Sequence, residues 1–101
     1  MDLNEIINRI SLIRNRANLS ARALSLQIDK NASYINRLET SRDFEPSLTT
    51  LLDIIEVCNS SVEEFFYYSI SEYKTDADLI KFLKGLKENK KKAIKELLTE
   101  Q

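Results

Sequence analysis

The chain has 101 residues, of which 43% are hydrophobic and 31% are charged, and its formal net charge is −1. This length and apolar content suit one small domain with a single core. A single glycine and a single proline provide little material for the tight turns of a β protein, so we expect an all-α fold.

The residue types present exclude several kinds of chemistry. Cys58 is the only cysteine and there is no histidine, which excludes intramolecular disulfides, histidine–cysteine zinc sites and nucleophile–histidine pairs. The remaining titratable residues form no catalytic cluster, so we expect neither an enzyme nor a cofactor. No apolar run could cross a bilayer and no leader pattern is visible, so we expect a cytoplasmic protein without a membrane partner.

Charge is distributed unevenly along the chain. Residues 45–73 hold six acidic residues and no lysine or arginine, whereas residues 74–101 hold eight lysines against five acidic residues. The six arginines all lie in the first block: Arg9, Arg14, Arg16, Arg22, Arg37 and Arg42. This segregation can maintain a weakly basic face on a slightly acidic protein.

Apolar residues at helical spacing predict three helices in the first forty residues. The expected helices begin after the caps Asp2, Ser20 and Asn31, and the second and third span 21–27 and 32–40. The expected inward side chains are Leu3, Ile6, Ile10, Ile13 and Ala17, then Ala23, Leu24 and Ile28, then Ile35 and Leu38. Asn18 and Leu19 are expected to end the first helix.

Four further helices are predicted after a polar loop at 41–46. Ser47 is expected to cap the fourth, and Ser61 with Glu64 forms a capping box for the fifth. Residues 67–75 are expected to be a connector, followed by a helix capped by Asp76 and a last helix at 89–99, with a turn near Gly85. The expected inward residues are Leu48, Leu51, Leu52, Ile54, Ile55 and Cys58, then Val62, Phe65 and Phe66, then Leu79, Ile80, Leu83 and Leu86, then Ala93, Ile94, Leu97 and Leu98.

The second and third helices, with the short turn Ile28-Asp29-Lys30 between them, have the arrangement of a helix-turn-helix unit. In such a unit the second helix enters the major groove of DNA. Small residues at its N-terminal end permit close approach, and amide or guanidinium groups reach the base edges. The residues Asn31, Ala32, Ser33, Asn36 and Arg37 meet this description.

A series of motifs extends this pattern over residues 6–66. They are Arg9-Ile10, Ile13-Arg14, Leu19-Ser20, Leu24, the run 33–39, Pro46-Ser47, Leu51-Leu52 and the segment 58–66. In this order and spacing the chain resembles the Cro/CI-type helix-turn-helix domain of phage repressors and many bacterial transcriptional regulators. The resemblance implies a five-helix, lambda-repressor-like DNA-binding domain at 1–68, and leaves 69–101 as a C-terminal helical extension of about two helices.

The resemblance also implies which residues contact DNA. Base contacts would come from Ala32, Ser33 and Arg37, with Asn36 alongside and Thr40 on the same face of the helix. Phosphate contacts would come from Ser20, Ala21 and Arg22 at the start of the second helix, from Asn31, and from Arg42. Free amides and the positive dipole end make helix N-termini suitable for phosphate.

Five positions depart from the usual family pattern. Ala21 stands where glutamine usually helps to hold a phosphate, and Ser25 stands where alanine is usual. Asp29 replaces the turn glycine, Lys30 replaces an apolar residue, and Ser41 replaces the glycine after the third helix. Asp29 can adopt a positive φ at some energetic cost.

Several of these residues also have a purely structural interpretation. Arg14 and Glu39 match a family ion pair between the first and third helices, and Cys58 has the spacing of a buried thiol. Arg37 could be an ordinary solvated residue. The lysines at 84–95 form either a solvated helix face or a nucleic-acid patch, and the C-terminal apolar stripe packs on the domain or on another chain.

We therefore expect a sequence-specific regulator of transcription that binds double-stranded DNA, acts as a repressor, and forms a homodimer. Its control would come from a regulatory protein partner, oligomerisation or its own concentration. The alternative is a protein-interaction module or an antitoxin-type partner protein on the same fold, with weak or no DNA binding. Ala21, the acidic block and the negative net charge favour that alternative.

Overall fold

The computed structural model describes residues 1–67 and 69–85, and these ranges contain six α-helices and no strand. The helices are α1 (Leu3–Arg16), α2 (Ala21–Gln27), α3 (Tyr34–Ser41), α4 (Leu48–Val57), α5 (Val62–Phe65) and α6 (Ile70–Gly85). The all-α expectation is confirmed for this part of the chain, whereas the helix expected at 89–99 and Leu86 lie outside it. None of the described helices is long and apolar enough to cross a membrane.

The chain divides into two units, Met1–Tyr67 and Tyr68–Gln101. In the first unit four helices begin at side chains that accept a hydrogen bond from the backbone N–H three residues on. The bonds run from Glu5 to Asp2 (2.9 Å), Ala23 to Ser20 (3.0 Å), Thr50 to Ser47 (3.2 Å) and Glu64 to Ser61 (3.1 Å). These caps satisfy amides that the helix itself leaves unpaired, and they confirm the expected starts of α1, α2, α4 and α5.

Three helix ends share one geometry, in which an asparagine or aspartate replaces the usual glycine. Asn18, Asp29 and Asn59 have φ values of 58°, 58° and 57°. Each donates its N–H to the carbonyl three residues back, and the next residue donates to the carbonyl five residues back, which is the Schellman motif. Asn and Asp tolerate this left-handed conformation better than other side chains, so the helices end without glycine.

The end of α3 differs from expectation. The left-handed residue is Arg42, with φ 56°, and not Ser41, which stands where the family usually has glycine. The reason is that α3 continues through Ser41, one residue beyond the expected end at Thr40. The turn of the chain therefore comes one residue later than the sequence pattern indicates.

The core of the first unit draws on all five of its helices. Its fully or almost fully buried residues, each at most 1% exposed, are Ile7, Ile10, Ile13, Leu24, Ser25, Ile35, Leu38, Ile54, Cys58 and Phe65. Cys58 is confirmed as a buried thiol, and burial raises its pKa. The buried row of α1 includes Ile7, which the sequence does not predict, while Leu3, Ile6 and Ala17 are only half-buried.

The apolar face of α4 is narrower than expected. Leu48 and Leu52 are 70% and 41% exposed, because the helix buries the face that carries Leu51, Ile54 and Ile55. The expected burial of Val62 and Phe66 is also wrong, since each is 46% exposed on the single turn of α5. Exposed apolar residues of this number are ordinary for a small domain.

Helix α6 corrects the interpretation of residues 67–75 as a connector. The helix runs without a break from Ile70, and Asp76 lies inside it and is not an N-cap. No glycine or proline occurs in this stretch before Gly85, so nothing interrupts the helix. Two residues expected to point inward, Leu79 (55%) and Ile80 (52%), are exposed instead, and so is Phe82 (61%).

Arg14 and Arg16 of α1 each form an ion pair with a later part of the first unit. Arg14 binds Glu39 of α3 through both carboxylate oxygens, at 2.8 and 3.0 Å, and it donates a third hydrogen bond to the carbonyl of Leu19 at 2.9 Å. Each side chain of this pair is only 15% exposed. The expected structural pair is therefore confirmed, with the bidentate geometry typical of strong arginine–carboxylate pairs.

The second pair, between Arg16 and Glu64, is not predictable from the sequence. The guanidinium donates to both carboxylate oxygens, at 2.5 and 3.1 Å, and the hydroxyl of Ser60 donates to one of them at 2.6 Å. The hydrogen bonds from Arg16 hold the pKa of Glu64 below its usual value of 4.5, against the opposing effect of burial. The same contact raises the pKa of Arg16.

We expect Glu64→Gln to lower the free energy of unfolding at neutral pH by about 0.5–1 kcal/mol, a small effect because surface ion pairs contribute little and Arg16 is 42% exposed. Folding lowers the pKa of Glu64, so its carboxylate stabilises the fold above pH 4.5 and this contribution disappears as the pH falls through the folded-state value. Urea unfolding of both proteins over a pH series measures the difference, which should shrink on acidification.

Glu63→Gln is the matched control, because Glu63 is an exposed neighbour on the same helical turn. Its stability relative to wild type should change little with pH. A constant difference between wild type and Glu64→Gln down to strongly acidic pH would contradict the assignment.

Candidate nucleic-acid interface

The connection between α2 and α3 has two parts. In the first, Asp29 takes the left-handed conformation and Lys30 donates its N–H to the carbonyl of Ser25 at 2.9 Å. In the second, the carboxamide oxygen of Asn31 accepts from both the N–H and the hydroxyl of Ser33, at 3.1 and 2.8 Å. These bonds hold a turn in place of a first helical turn, so α3 begins at Tyr34 and not at Ala32 as expected.

Ser25 joins the two helices through one buried hydroxyl. Its side chain donates to the carbonyl of Ala21 at 2.7 Å and accepts from the N–H of Ile35 at 2.9 Å. Ser33, at the N-cap position of α3, makes no side-chain capping bond. A hydroxyl from α2 therefore satisfies a buried amide in the first turn of α3, where the sequence alone indicates only a small residue at the helix crossing.

The outer face of α3 carries most of the predicted base-contacting residues. Asn36, Arg37 and Thr40 are exposed, and so is Ser33 just before the helix, while Ala32 is half-buried. Their spacing of three or four residues places them along one side of the helix. The opposite side carries Ile35 and Leu38, both 0% exposed, and this burial fixes which face of α3 is presented to solvent.

The predicted phosphate contacts lie in three places, and one of them, the exposed Asn31, is in the connection between α2 and α3. Ser20, Ala21 and Arg22 lie at the start of α2, where Arg22 is exposed and Ala21 is half-buried. Arg42 lies at the C-terminal end of α3, and its guanidinium is directed to α1. It donates to Asn8 Oδ1 at 2.9 Å and Asn4 Oδ1 at 3.3 Å, and to the carbonyl of Glu39 at 3.0 Å. Nine of the ten predicted residues thus lie on α2, the connection and α3, and Arg42 packs against α1.

Beside this face lies a cation–aromatic row, formed by Lys30, Tyr34, Phe44 and Arg37. The Lys30 Nζ lies 5.5 Å from the centroid of the Tyr34 ring, and the Arg37 Cζ lies 5.5 Å from the centroid of the Phe44 ring. The two rings meet edge-to-face with centroids 5.6 Å apart. Partial burial raises the pKa of the Tyr34 hydroxyl.

Neither Tyr34 nor Phe44 is among the site residues predicted from the sequence. The spacing of Lys30 and Tyr34, four residues apart, is a local signal that could have indicated their contact. No such signal exists for Phe44, because its approach to Arg37 depends on the path of the loop after α3.

Most arginines of the first unit make hydrogen bonds within the fold, which leaves few of their N–H groups available to a ligand. Arg9 donates to the carbonyls of Phe65, at 2.7 Å, and Tyr67, at the end of α5. With Arg14, Arg16 and Arg42 this makes four of the six arginines engaged within the protein. Within the described ranges Arg22 and Arg37 are exposed, and their guanidinium groups make no hydrogen bond or ion pair.

A shallow depression of about 290 Å³ lies at the other end of α2, against α4. It is lined by Gln27, Ile28, Asp29, Asp53, Glu56 and Val57. Three of these residues are acidic, so the depression would repel phosphate. The surface of the first unit therefore contains a polar α3 face and a separate acidic region.

Comparison with known proteins supports the geometric interpretation. A family model described as helix-turn-helix matches residues 10–65, which is more than half of the chain. The match extends from the middle of α1 to the end of α5 and includes all of α2, the connection and α3. No curated protein and no solved structure matches the chain.

We expect Ser25→Ala to lower the free energy of unfolding by about 1–3 kcal/mol, because it leaves the Ile35 N–H buried without a partner. It should also accelerate hydrogen exchange at the Ile35 amide, measured by NMR, more than at the amides of α1. Ser11→Ala is a control on a half-buried serine of α1. Equal stability of the two variants, with unchanged exchange at Ile35, would show that the Ser25 hydroxyl does not cap α3.

Proposed function

We propose that this chain, which belongs to the Cro/CI-type helix-turn-helix family, is a sequence-specific regulator of transcription that reads the DNA major groove with α3. Membership of this family implies DNA binding, and its domains are typically non-enzymatic. The main observation in support is the orientation of α3. Ile35 and Leu38 hold it to the core, so that Asn36, Arg37 and Thr40 face solvent together.

The residues would have distinct roles. Arg37 would pair with the edge of a guanine and Asn36 with an adenine, since these side chains match the donor and acceptor patterns of those bases. Ala32 and Ser33 are small and would let the start of α3 approach the bases. Arg22 would contact phosphate and contribute affinity without sequence preference.

The remaining predicted contacts would also be to phosphate. Ser20 and Ala21 at the start of α2 and Asn31 before α3 would approach the backbone with their amides. Arg42 would contact phosphate with the N–H groups that its bonds to Asn4, Asn8 and Glu39 leave available.

We further propose a cytoplasmic repressor that works as a homodimer and responds to a regulatory protein partner. Two available guanidinium groups make a small reading surface, and two copies on adjacent half-sites, about 34 Å apart, would double it. Leu79, Ile80 and Phe82 expose apolar surface on α6, which supports a dimerisation role for the C-terminal extension, residues 69–101.

DNA binding is tested by fluorescence polarisation with random duplexes and with duplexes from genomic upstream regions, at several salt concentrations. We expect affinity to fall with salt, because phosphate contacts release counterions, and a subset of duplexes to bind much more tightly. If no duplex binds more tightly than micromolar at low salt, the DNA-binding proposal is wrong.

Two arginine variants separate base contacts from phosphate contacts. Arg37→Ala should cost about 1–3 kcal/mol of binding free energy and relax the preference at one base pair. Arg22→Ala should weaken binding to all duplexes alike and reduce the salt slope by about 1. Lys74→Ala, at an exposed cation outside the family match, is the control. A uniform loss with Arg37→Ala would reassign Arg37 to phosphate.

Substitution of Leu79 and Phe82 by serine together should shift the protein from dimer to monomer, because it removes exposed apolar surface from α6. Sedimentation equilibrium over a concentration series measures this shift. Leu48→Ser on α4, where the leucine is 70% exposed, is the matched control. A wild-type protein that remains monomeric at all concentrations would refute the dimer.

The second candidate function is a protein-interaction module or antitoxin-type partner on the same fold. The acidic depression beside α2 and the small number of available arginines favour it. This candidate predicts no specific duplex in the polarisation assay, together with co-purification of a small protein encoded beside the gene.

A further inference from the structure

We propose that Phe44, in the loop after α3, is a specificity-determining positioning residue that holds the guanidinium of Arg37 towards the base edges. The inference rests on the proposed function and deepens it. Phe44 would not touch DNA itself. Its ring would orient the side chain that does.

The first support is that Phe44 is itself held in place. Two residues earlier, Arg42 ties the start of the loop to α1 through Asn4 and Asn8. On its other side the ring of Tyr34, in the first turn of α3, contacts Phe44 edge-to-face at an interplanar angle of 62°. Phe44 is half-buried, so the loop presents a fixed ring beside α3.

The second support is the state of Arg37. Its Cζ lies 5.5 Å from the Phe44 centroid, and within the described residues the guanidinium makes no hydrogen bond or ion pair beside this contact. A free arginine loses considerable rotamer entropy when it is fixed on a target. Because two parallel hydrogen bonds to guanine require a defined guanidinium plane, a ring that restrains Arg37 beforehand favours the correct base.

The neighbours of Phe44 argue against direct contact between the loop and DNA. Asp43 and Glu45 are both acidic and exposed, so phosphate would be repelled from the tip of the loop. An effect of Phe44 on DNA recognition would therefore pass through Arg37. This distinguishes a positioning role from an additional backbone contact.

The test uses the full chain and the tightest duplex selected by the wild-type protein from a randomised pool. A second duplex carries a substitution at the base pair for which Arg37→Ala has lost the wild-type preference. We expect Phe44→Leu to lose about 3- to 10-fold in affinity for the selected duplex, the range of a cation–π contact, and little for the altered one. Phe44→Tyr keeps the ring and should bind like wild type.

A double-mutant cycle shows whether Phe44 acts through Arg37. In an Arg37→Ala background, Phe44→Leu should have no further effect on either duplex. The salt dependence of Phe44→Leu should equal that of wild type, since no phosphate contact is removed. Thermal unfolding of each variant confirms that the domain is folded.

A second measurement needs no DNA, and its first readout is on the wild-type protein. The guanidinium Cζ of Arg37 lies over the Phe44 ring, so the NMR resonances of the neighbouring δ-methylene protons in the free wild-type protein should be shifted upfield. The shift should persist in Phe44→Tyr and disappear in Phe44→Leu. Resonances at ordinary positions in the wild type would overturn the proposal.

The binding outcomes separate this proposal from the one on which it rests. If the wild type prefers no sequence, the DNA-reading function fails and the role of Phe44 fails with it. If the wild type discriminates and Phe44→Leu discriminates equally well, only the role of Phe44 is overturned. A loss with Phe44→Leu that persists without Arg37 would also overturn it.

Discussion

The position of α3 depends above all on one guanidinium. Arg14 donates hydrogen bonds to both carboxylate oxygens of Glu39 on α3 and to the carbonyl of Leu19, in the turn between α1 and α2. A single side chain thus joins the first helix, the entry to the helix-turn-helix unit and its second helix. The pair is 15% exposed on each side, so solvent screens it less than a surface pair. The face that α3 presents follows from this anchor together with the burial of Ile35 and Leu38.

The features of this fold that depend on local interactions were predictable from the sequence. The starts of α2 and α4 follow from Ser20 and Ser47, because a cap and its amide are three residues apart. Contacts between side chains on different helices and loops were not predictable. The bond from Ile35 to Ser25 and the contact of Phe44 with Arg37 both depend on how helices and loops are already packed. The family resemblance supplied one long-range contact, Arg14 with Glu39, that periodicity could not.

In the candidate site, too, some features were predictable from the sequence and others were not. The outer face of α3 was predictable because it is simply the side opposite the apolar residues. Which arginines are available was not, since their sequence positions do not show that Arg9 binds the end of α5 or that Arg42 turns back to α1. Because the other arginines are engaged in internal bonds, the basic surface consists mainly of Arg22, Arg37 and a few lysines. A small basic surface on a slightly acidic protein favours recognition that depends on orientation more than on charge.

The four left-handed residues at the helix ends have a consequence for how this sequence can diverge. Asn18, Asp29, Arg42 and Asn59 each occupy a conformation that glycine adopts without strain. A residue with a side chain, however, lowers the conformational entropy of the unfolded chain relative to glycine. This stabilisation and the strain of the left-handed conformation are of similar size, about 1 kcal/mol. Exchange with glycine at Asn18, Asp29 and Asn59 should be almost neutral over evolutionary time, whereas at Arg42 it would also remove the hydrogen bonds to Asn4 and Asn8. The backbone geometry would then persist in homologues that carry asparagine, aspartate or glycine at these three positions.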